Sequence, residues 1–222
     1  GEDTGKNSNS AGHIQFQRGD LEKGFEEADL IIEREFNTET VHQGYIEPFA
    51  ATADWNNEGR LTIWTCTQGS FNVRSITANI LDIPESTVKV IPTEIGGGFG
   101  GKGVGYLEPV VAILSKKSGL PVKIIMSRKE VFEGTGPTSA TYSKCKIGVT
   151  SNGIITAGYH YMAYEAGAFP GSPVGGGAMT SFGPYKIENF LVDGYDVVCN
   201  KQKVQAYRAL GQPTAAFAVE CI

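Results

Sequence analysis

The chain has no apolar run approaching the ~20 residues that a membrane-spanning helix needs, so nothing in it reads as a transmembrane segment. It also lacks a basic run. Nineteen lysines and arginines stand against 24 aspartates and glutamates, a formal net charge of −5, which argues against nucleic acid as a partner. No signal peptide is evident. Residues Gly1 to Gly12 are small and polar, and residues 1–17 are expected to form a leader or linker. The four cysteines, Cys66, Cys145, Cys199 and Cys221, lie far apart and form no Cys-x-x-Cys. That argues against a zinc or iron–sulfur site within this stretch, and reduced, buried thiols in a cytoplasmic protein are expected instead. Three histidines, His13, His42 and His160, are too dispersed for a metal triad, and no internal repeat is present.

Glycine, by contrast, is abundant, with 29 among 222 residues. Five of them fall in Gly96-Gly97-Gly98-Phe99-Gly100-Gly101-Lys102. Ordering so much glycine costs entropy, so such a stretch implies a backbone that must curl or be approached closely. Consecutive amides there can converge on an anion or an oxo group. Val88 to Ile91 reads as a strand. Leu107, Val110, Val111 and Leu114 recur at helical spacing within Val104 to Lys117. Pro109 fits only near a first turn, which moves the helix start a few residues later. The expected element is strand, glycine loop and helix N-terminus, a site suited to negative charge.

Two generic patterns overlap this loop. Gly96, Gly98 and Gly101 satisfy G-x-G-x-x-G, with Arg128 or Glu130 ending the next apparent strand, which would suit the pyrophosphate of NAD(P). The stretch to Gly103 nearly satisfies a phosphate-binding G-x-x-x-x-G-K-[ST], but Gly103 lacks the hydroxyl that Mg²⁺ needs. A third possibility is a non-catalytic β-rich interaction domain whose glycines only make turns.

Hydrophobic residues at 41% and charged residues at 19% fit a globular chain with one large domain or two small ones. Asp20 to Ala28 is a helix candidate, with Asp20 as N-cap but Lys23 where a capping box needs a carboxylate. Leu30 to Thr40, Gly44 to Trp55 and Leu61 to Cys66 read as an antiparallel meander, with Asn56 to Gly59 turning between the last two. Ser70 to Leu81 is helical, with Phe71, Ile76, Ile80 and Leu81 expected inside and Pro84 beyond its end. Gly119 closes the next helix, and Pro121 to Met126 is a strand. Tyr142 to Val149 and Ile154 to Glu165 flank an Asn152-Gly153 hairpin turn. Ala166 to Gly183 is expected as a long loop or partner surface, Asn189 to Val198 as a strand, and Pro213 as the start of a last helix running to Ile222. The long antiparallel pairs argue against a doubly wound sheet. The fold class is α+β, with mixed, largely antiparallel sheets and two main helices.

Gly-Gly-Gly-Phe-Gly-Gly-Lys resembles the molybdenum-cofactor loop of the xanthine dehydrogenase/aldehyde oxidase family of molybdenum hydroxylases. His42 to Glu47-Pro48 resembles that family's opening strand with its Glu-Pro step. Thr67-Gln68 resembles the segment presenting a glutamine to the metal, and Tyr207 to Pro213 the arginine-glycine-proline turn before a helix. The likeness runs from about Arg18 to Ile222. It implies residues 18–222 as the first molybdenum-cofactor-binding domain of a large subunit, cut before the second. It implies a molybdopterin cofactor, with or without a cytosine nucleotide, and oxidation of an aldehyde or N-heterocycle with water-derived oxygen. Iron–sulfur clusters and FAD would sit on partner domains or subunits.

By this resemblance Gln68, Gly98, Phe99, Gly100 and Gly101 contact the cofactor, and Arg208 faces the substrate. An amide suits an oxo ligand because it donates without adding charge. Glu47 is expected to hold a backbone turn. No residue is expected to ligate the metal directly, and the base glutamate is expected beyond Ile222, so the chain alone is expected to be inactive. Gly103 stands where purine-hydroxylating members carry a glutamate, and Ala209 where carbon monoxide dehydrogenases carry a cysteine, so both substrates are disfavoured. Gln68, Phe99 and Arg208 are expected to converge.

Overall fold

The computed structural model describes residues 8–222, which form nine strands and six helices. They group into two units, one built from the described residues up to Val41, including the short helix α1 (Leu21–Glu26), and from Pro137 onward, the other from His42–Gly136.

The first unit is a five-stranded sheet in the order β1-β9-β8-β7-β2. Its strands are β1 (Ser10–Arg18), β2 (Leu30–Thr38), β7 (Thr141–Val149), β8 (Ile155–Gly167) and β9 (Asn189–Val198), and β8–β9 is its one parallel pairing. Gly153, at φ 83°, makes the tight β7–β8 hairpin, as Asn-Gly demands. Alternation along β7–β9 buries Cys145, Met162, Tyr164 and Val192 on one face, against α5 (Val174–Thr180) and α6 (Gln212–Glu220). The expected leader is corrected in part. Residues 1–7 lie outside the described residues, but Ser10–Arg18 is paired along β9 because its backbone completes that sheet edge despite polar side chains.

The second unit is a four-stranded sheet in the order β5-β4-β3-β6, formed by β3 (Ala50–Trp55), β4 (Leu61–Thr65), β5 (Val88–Pro92) and β6 (Val122–Ile125). Here β4 and β5 run parallel, joined through α2 (Ser70–Leu81). Helices α2 and α3 (Glu108–Ser118) cover a core that includes Ala51, Ala53, Leu61, Ile63, Val111 and Ala112. Gly119, at φ 68°, closes α3 as expected.

Several expectations change. The three-strand meander does not form: β2 pairs with β7, and only β3–β4 is a hairpin. Residues 42–49 are irregular, because Gly44 turns at φ 68° and Pro48 has no N–H to give a ladder. On α2 the buried residues are Val73, Thr77 and Ala78, while Phe71 and Ile80 are exposed. Two short helices were not expected, α5 within the glycine-rich stretch and α4 (Arg128–Gly134). Helix α4 opens on a full capping box: Glu130 N donates to Ser127 Oγ at 3.2 Å, and Ser127 N to Glu130 Oε2 at 2.7 Å.

Candidate functional site

In the second unit the glycine loop leaves β5 and folds back on the segment after β4. Gln68 is the hub of this contact. Its Oε1 accepts from Gly100 N at 2.9 Å and Lys102 N at 3.3 Å, and its own N–H donates to Lys102 O at 2.8 Å. Since both partners of the side chain are N–H donors, the oxygen must face the loop and Nε2 must face away. Nε2 has no hydrogen bond to any described residue. Thr67 Oγ1 also donates to Lys102 O, at 3.0 Å, and Asn72 Nδ2 to Gly103 O at 2.8 Å.

Glycine is required here by contact as well as by φ. A Cβ at Gly98 would lie 2.6 Å from Gln68 Oε1, and one at Gly96 2.6 Å from Glu47 Cβ. A Cβ at Gly101 would meet Gln43 Cδ at 3.0 Å, and Gly97 and Gly100 sit at φ 95° and 102°. Phe99 sits at φ 52° with its ring half exposed, an uncommon conformation for a bulky residue. Gly103 differs, since a Cβ there would meet nothing nearer than Gly100 O at 3.5 Å.

The loop is only in part the open amide nest that the sequence suggests. Gly96 N donates to Glu47 Oε2 at 2.7 Å and Gly101 N to Gly98 O at 2.8 Å, while Gly100 N is taken by Gln68. Gly97 N, Gly98 N and Phe99 N keep no partner among the described residues. The loop does not run into a helix N-terminus. Residues 104–107 intervene, and buried Glu108 closes the start of α3 itself, accepting from Tyr106 N at 2.9 Å and Thr65 Oγ1 at 2.6 Å.

Glu47 and Lys102 tie the two ends of the loop together, with Nζ–Oε2 at 2.7 Å. Partial burial pushes the Glu47 carboxyl up, but the Lys102 and Gly96 hydrogen bonds and the Lys102 charge outweigh it and hold the pKa below its ordinary value. The structural role expected for Glu47 is what the geometry gives it.

In the first unit, Arg208 is exposed and makes no ion pair or hydrogen bond among the described residues. It lines a cavity of about 270 Å³ with Glu39, Tyr207, Tyr164 and Thr214. Its turn is strained, with Ala209, Leu210 and Gly211 at φ 64°, 23° and 84°. Buried Tyr164 braces the turn, its hydroxyl 2.9 Å from Gly211 O and 2.8 Å from Thr214 Oγ1. Burial pushes the Tyr164 phenol up to about 12, against the opposing hydrogen bond with Thr214.

A family model described as the molybdopterin cofactor-binding domain matches residues 2–222. The chain belongs to that family. It is 30% identical over 211 residues to the nicotinate dehydrogenase large molybdopterin subunit of Eubacterium barkeri, covering 94% of this chain and 49% of that subunit. It is also 30% identical over 207 residues to the xanthine dehydrogenase of Dictyostelium discoideum, covering 91% of this chain and 15% of the relative. Among solved structures, quinoline 2-oxidoreductase from Pseudomonas putida 86 superposes with a TM-score of 0.84 at 25% identity, covering 96% of this chain and 29% of that one. The chain therefore spans about half or less of the length of these relatives.

The residues fit the family's cofactor in one testable respect. The molybdopterin cofactor-binding domain presents a fixed, neutral, unused donor, Gln68 Nε2, next to a loop where Gly96 and Gly98 leave no room for a Cβ. Gln68, Gly98, Phe99, Gly100, Gly101 and Gly103 are brought together in the second unit, while Arg208 belongs to the first. Sequence reasoning missed Lys102, and it missed Tyr164 with Gly176 and Gly177. The Gly175-Gly176-Gly177 run was the available signal, since a Cβ at Gly176 would lie 2.4 Å from Leu210 O. The thiols are all free, as expected, but only Cys66 and Cys145 are buried.

Proposed function

We propose that this chain forms one face of a molybdopterin site within a longer, cytoplasmic, multi-subunit molybdenum hydroxylase that oxidises an aldehyde or N-heterocycle with water-derived oxygen. The observation carrying this reading is the Gln68 carboxamide, pinned through its oxygen so that its N–H₂ points away from the loop. When bound, the cofactor supplies two-electron redox chemistry. The chain supplies neutral donors, Gln68 Nε2 and Phe99 N, whose fixed positions avoid reorganisation cost when charge develops on an oxygen. Arg208 would offer its planar fork to a substrate oxygen or carboxylate. A second cofactor-binding domain would complete the site and provide the base, and iron–sulfur and flavin partners would take the electrons. The pterin would be held with or without a cytosine nucleotide. Gly103 and Ala209 argue against purines and carbon monoxide.

The NAD(P) alternative loses support because the loop does not lead into a helix and the amides of Gly96, Gly100, Gly101 and Lys102 are spent internally. In the intact protein, Gln68→Ala and Gly100→Val should each lower molybdenum content and hydroxylase turnover. If both variants keep full activity, the loop has no cofactor role, and saturable NAD(P) binding would favour the alternative.

A further inference from the structure

Lys102 is the only buried lysine among the described residues, with no exposed surface at all. Every polar group it has is engaged. Its Nζ pairs with Glu47 Oε2 at 2.7 Å and lies 4.9 Å and 5.6 Å from the centroids of the Tyr45 and Phe49 rings. Its N–H and C=O meet Gln68 Oε1 and Gln68 N–H. The same Glu47 oxygen accepts from Gly96 N at 2.7 Å. One carboxylate therefore fixes the first glycine of the loop and its last residue, and that last residue fixes the Gln68 carboxamide. Burying an ammonium is costly, and aliphatic packing would fill the same space more cheaply. The ion pair gives what packing cannot, a single registered position for residue 102 against Glu47.

We infer that Lys102, acting through its part-buried ion pair with Glu47, is the positioning residue that presets the glycine loop and the Gln68 donor before any ligand arrives. That this donor serves a molybdenum site rests on the function proposed above; the positioning itself does not. The role belongs to the pair: Glu47 anchors one end of the loop and Lys102 carries the constraint to Gln68. Tyr45 and Phe49 supply the apolar box that keeps the ammonium from seeking water.

The test uses the intact protein carrying Lys102→Met and the paired Glu47→Gln/Lys102→Met. Readouts are thermal stability, hydrogen exchange across residues 96–102, thermolysin cleavage before exposed Phe99, and molybdenum content. Lys102→Met strands a carboxylate and should lower stability, speed loop exchange about tenfold or more and open the cleavage site. The paired variant leaves no unpaired charge, so its stability should recover. Its loop exchange and cleavage should stay fast and its molybdenum content low. If the paired variant recovers stability and loop protection together, the pair is merely structural and the inference is overturned. Unchanged loop exchange in Lys102→Met overturns it as well. Should Lys102→Met fail to fold, the paired variant decides alone. If Gln68→Ala keeps its molybdenum while the loop still loosens without the pair, the cofactor reading fails and the positioning role stands.

Discussion

Gly98→Ala tests the site with one carbon atom. The residue is not in the left-handed region, so the change adds no φ strain and acts only through contact. The new Cβ would lie 2.6 Å from Gln68 Oε1, 2.8 Å from its Cδ and 3.3 Å from its Cγ. The side chain can swing clear, but it then gives up the hydrogen bonds from Gly100 N and Lys102 N. At about 1 kcal/mol net for each bond, the expected loss is about 2 kcal/mol, a fall of roughly 5 °C in Tm for a chain of this size. The functional loss should be larger, because the displaced carboxamide also loses the orientation of its free N–H₂. Molybdenum content of the intact protein, measured by elemental analysis, should drop about tenfold, the equivalent of 1.4 kcal/mol. Gly103→Ala is the control. Its Cβ would meet only Gly100 O at 3.5 Å, an ordinary contact, and its effect should stay within about 0.5 kcal/mol. If Gly98→Ala matches Gly103→Ala in both Tm and metal content, Gln68 is not held as described and the reasoning fails.

Three further outcomes are expected. Gly103→Glu should fold, since a Cβ there meets nothing nearer than Gly100 O at 3.5 Å, and should raise purine turnover above wild type in a steady-state assay; turnover no higher than wild type would remove Gly103 from the argument against purines. Gly211→Ala places a Cβ 2.3 Å from Pro173 O at φ 84°, so it should shift the Arg208 turn and cost about 2 kcal/mol or more, read by thermal melting. His160 is fully buried, with Nδ1 2.6 Å from Ser181 Oγ, and burial lowers its pKa from 6.5 to about 4. The unfolded chain therefore takes up this proton first. Stability is complete above pH 6.5 and falls by roughly 3 kcal/mol as pH drops toward 4. His160→Asn should flatten that slope in denaturant titrations, and an unchanged slope would assign it to other groups.

Much of this was legible along the chain. Pro213, Gly119 and Asn152-Gly153 act locally, so the elements they bound fall where the residues indicate. The pairing of β2 with β7 was not legible, because alternation sets which face a strand buries but not which strand lies beside it. Helix α4 was legible in Ser127-x-x-Glu130 and went unread amid loop-like neighbours. Helix α5 was hidden for the opposite reason: its glycines lower helix propensity, and they are there for the backbone of Leu210 and Gly211 to come close. In the site, Gln68 and the loop were visible as types in order. Lys102 was not, since a lysine in a loop reads as solvated until its surroundings are known.

The unit from His42 to Gly136 is an insertion, and the carrier on either side is joined where Thr138 N donates to Val41 O at 2.8 Å. This sets an order of events on the ribosome. The inserted unit is contiguous and can close as soon as Gly136 has emerged, while β1 must wait for β9 and β2 for β7. Nascent chains just long enough for Gly136 to have left the ribosome should already hold the loop and Gln68 in place, with β1 and β2 still unpaired. The liability of this topology is therefore kinetic and falls on β1 and β2, whose exposed edges are open to chaperones, and to one another's copies, until β9 and β7 have emerged.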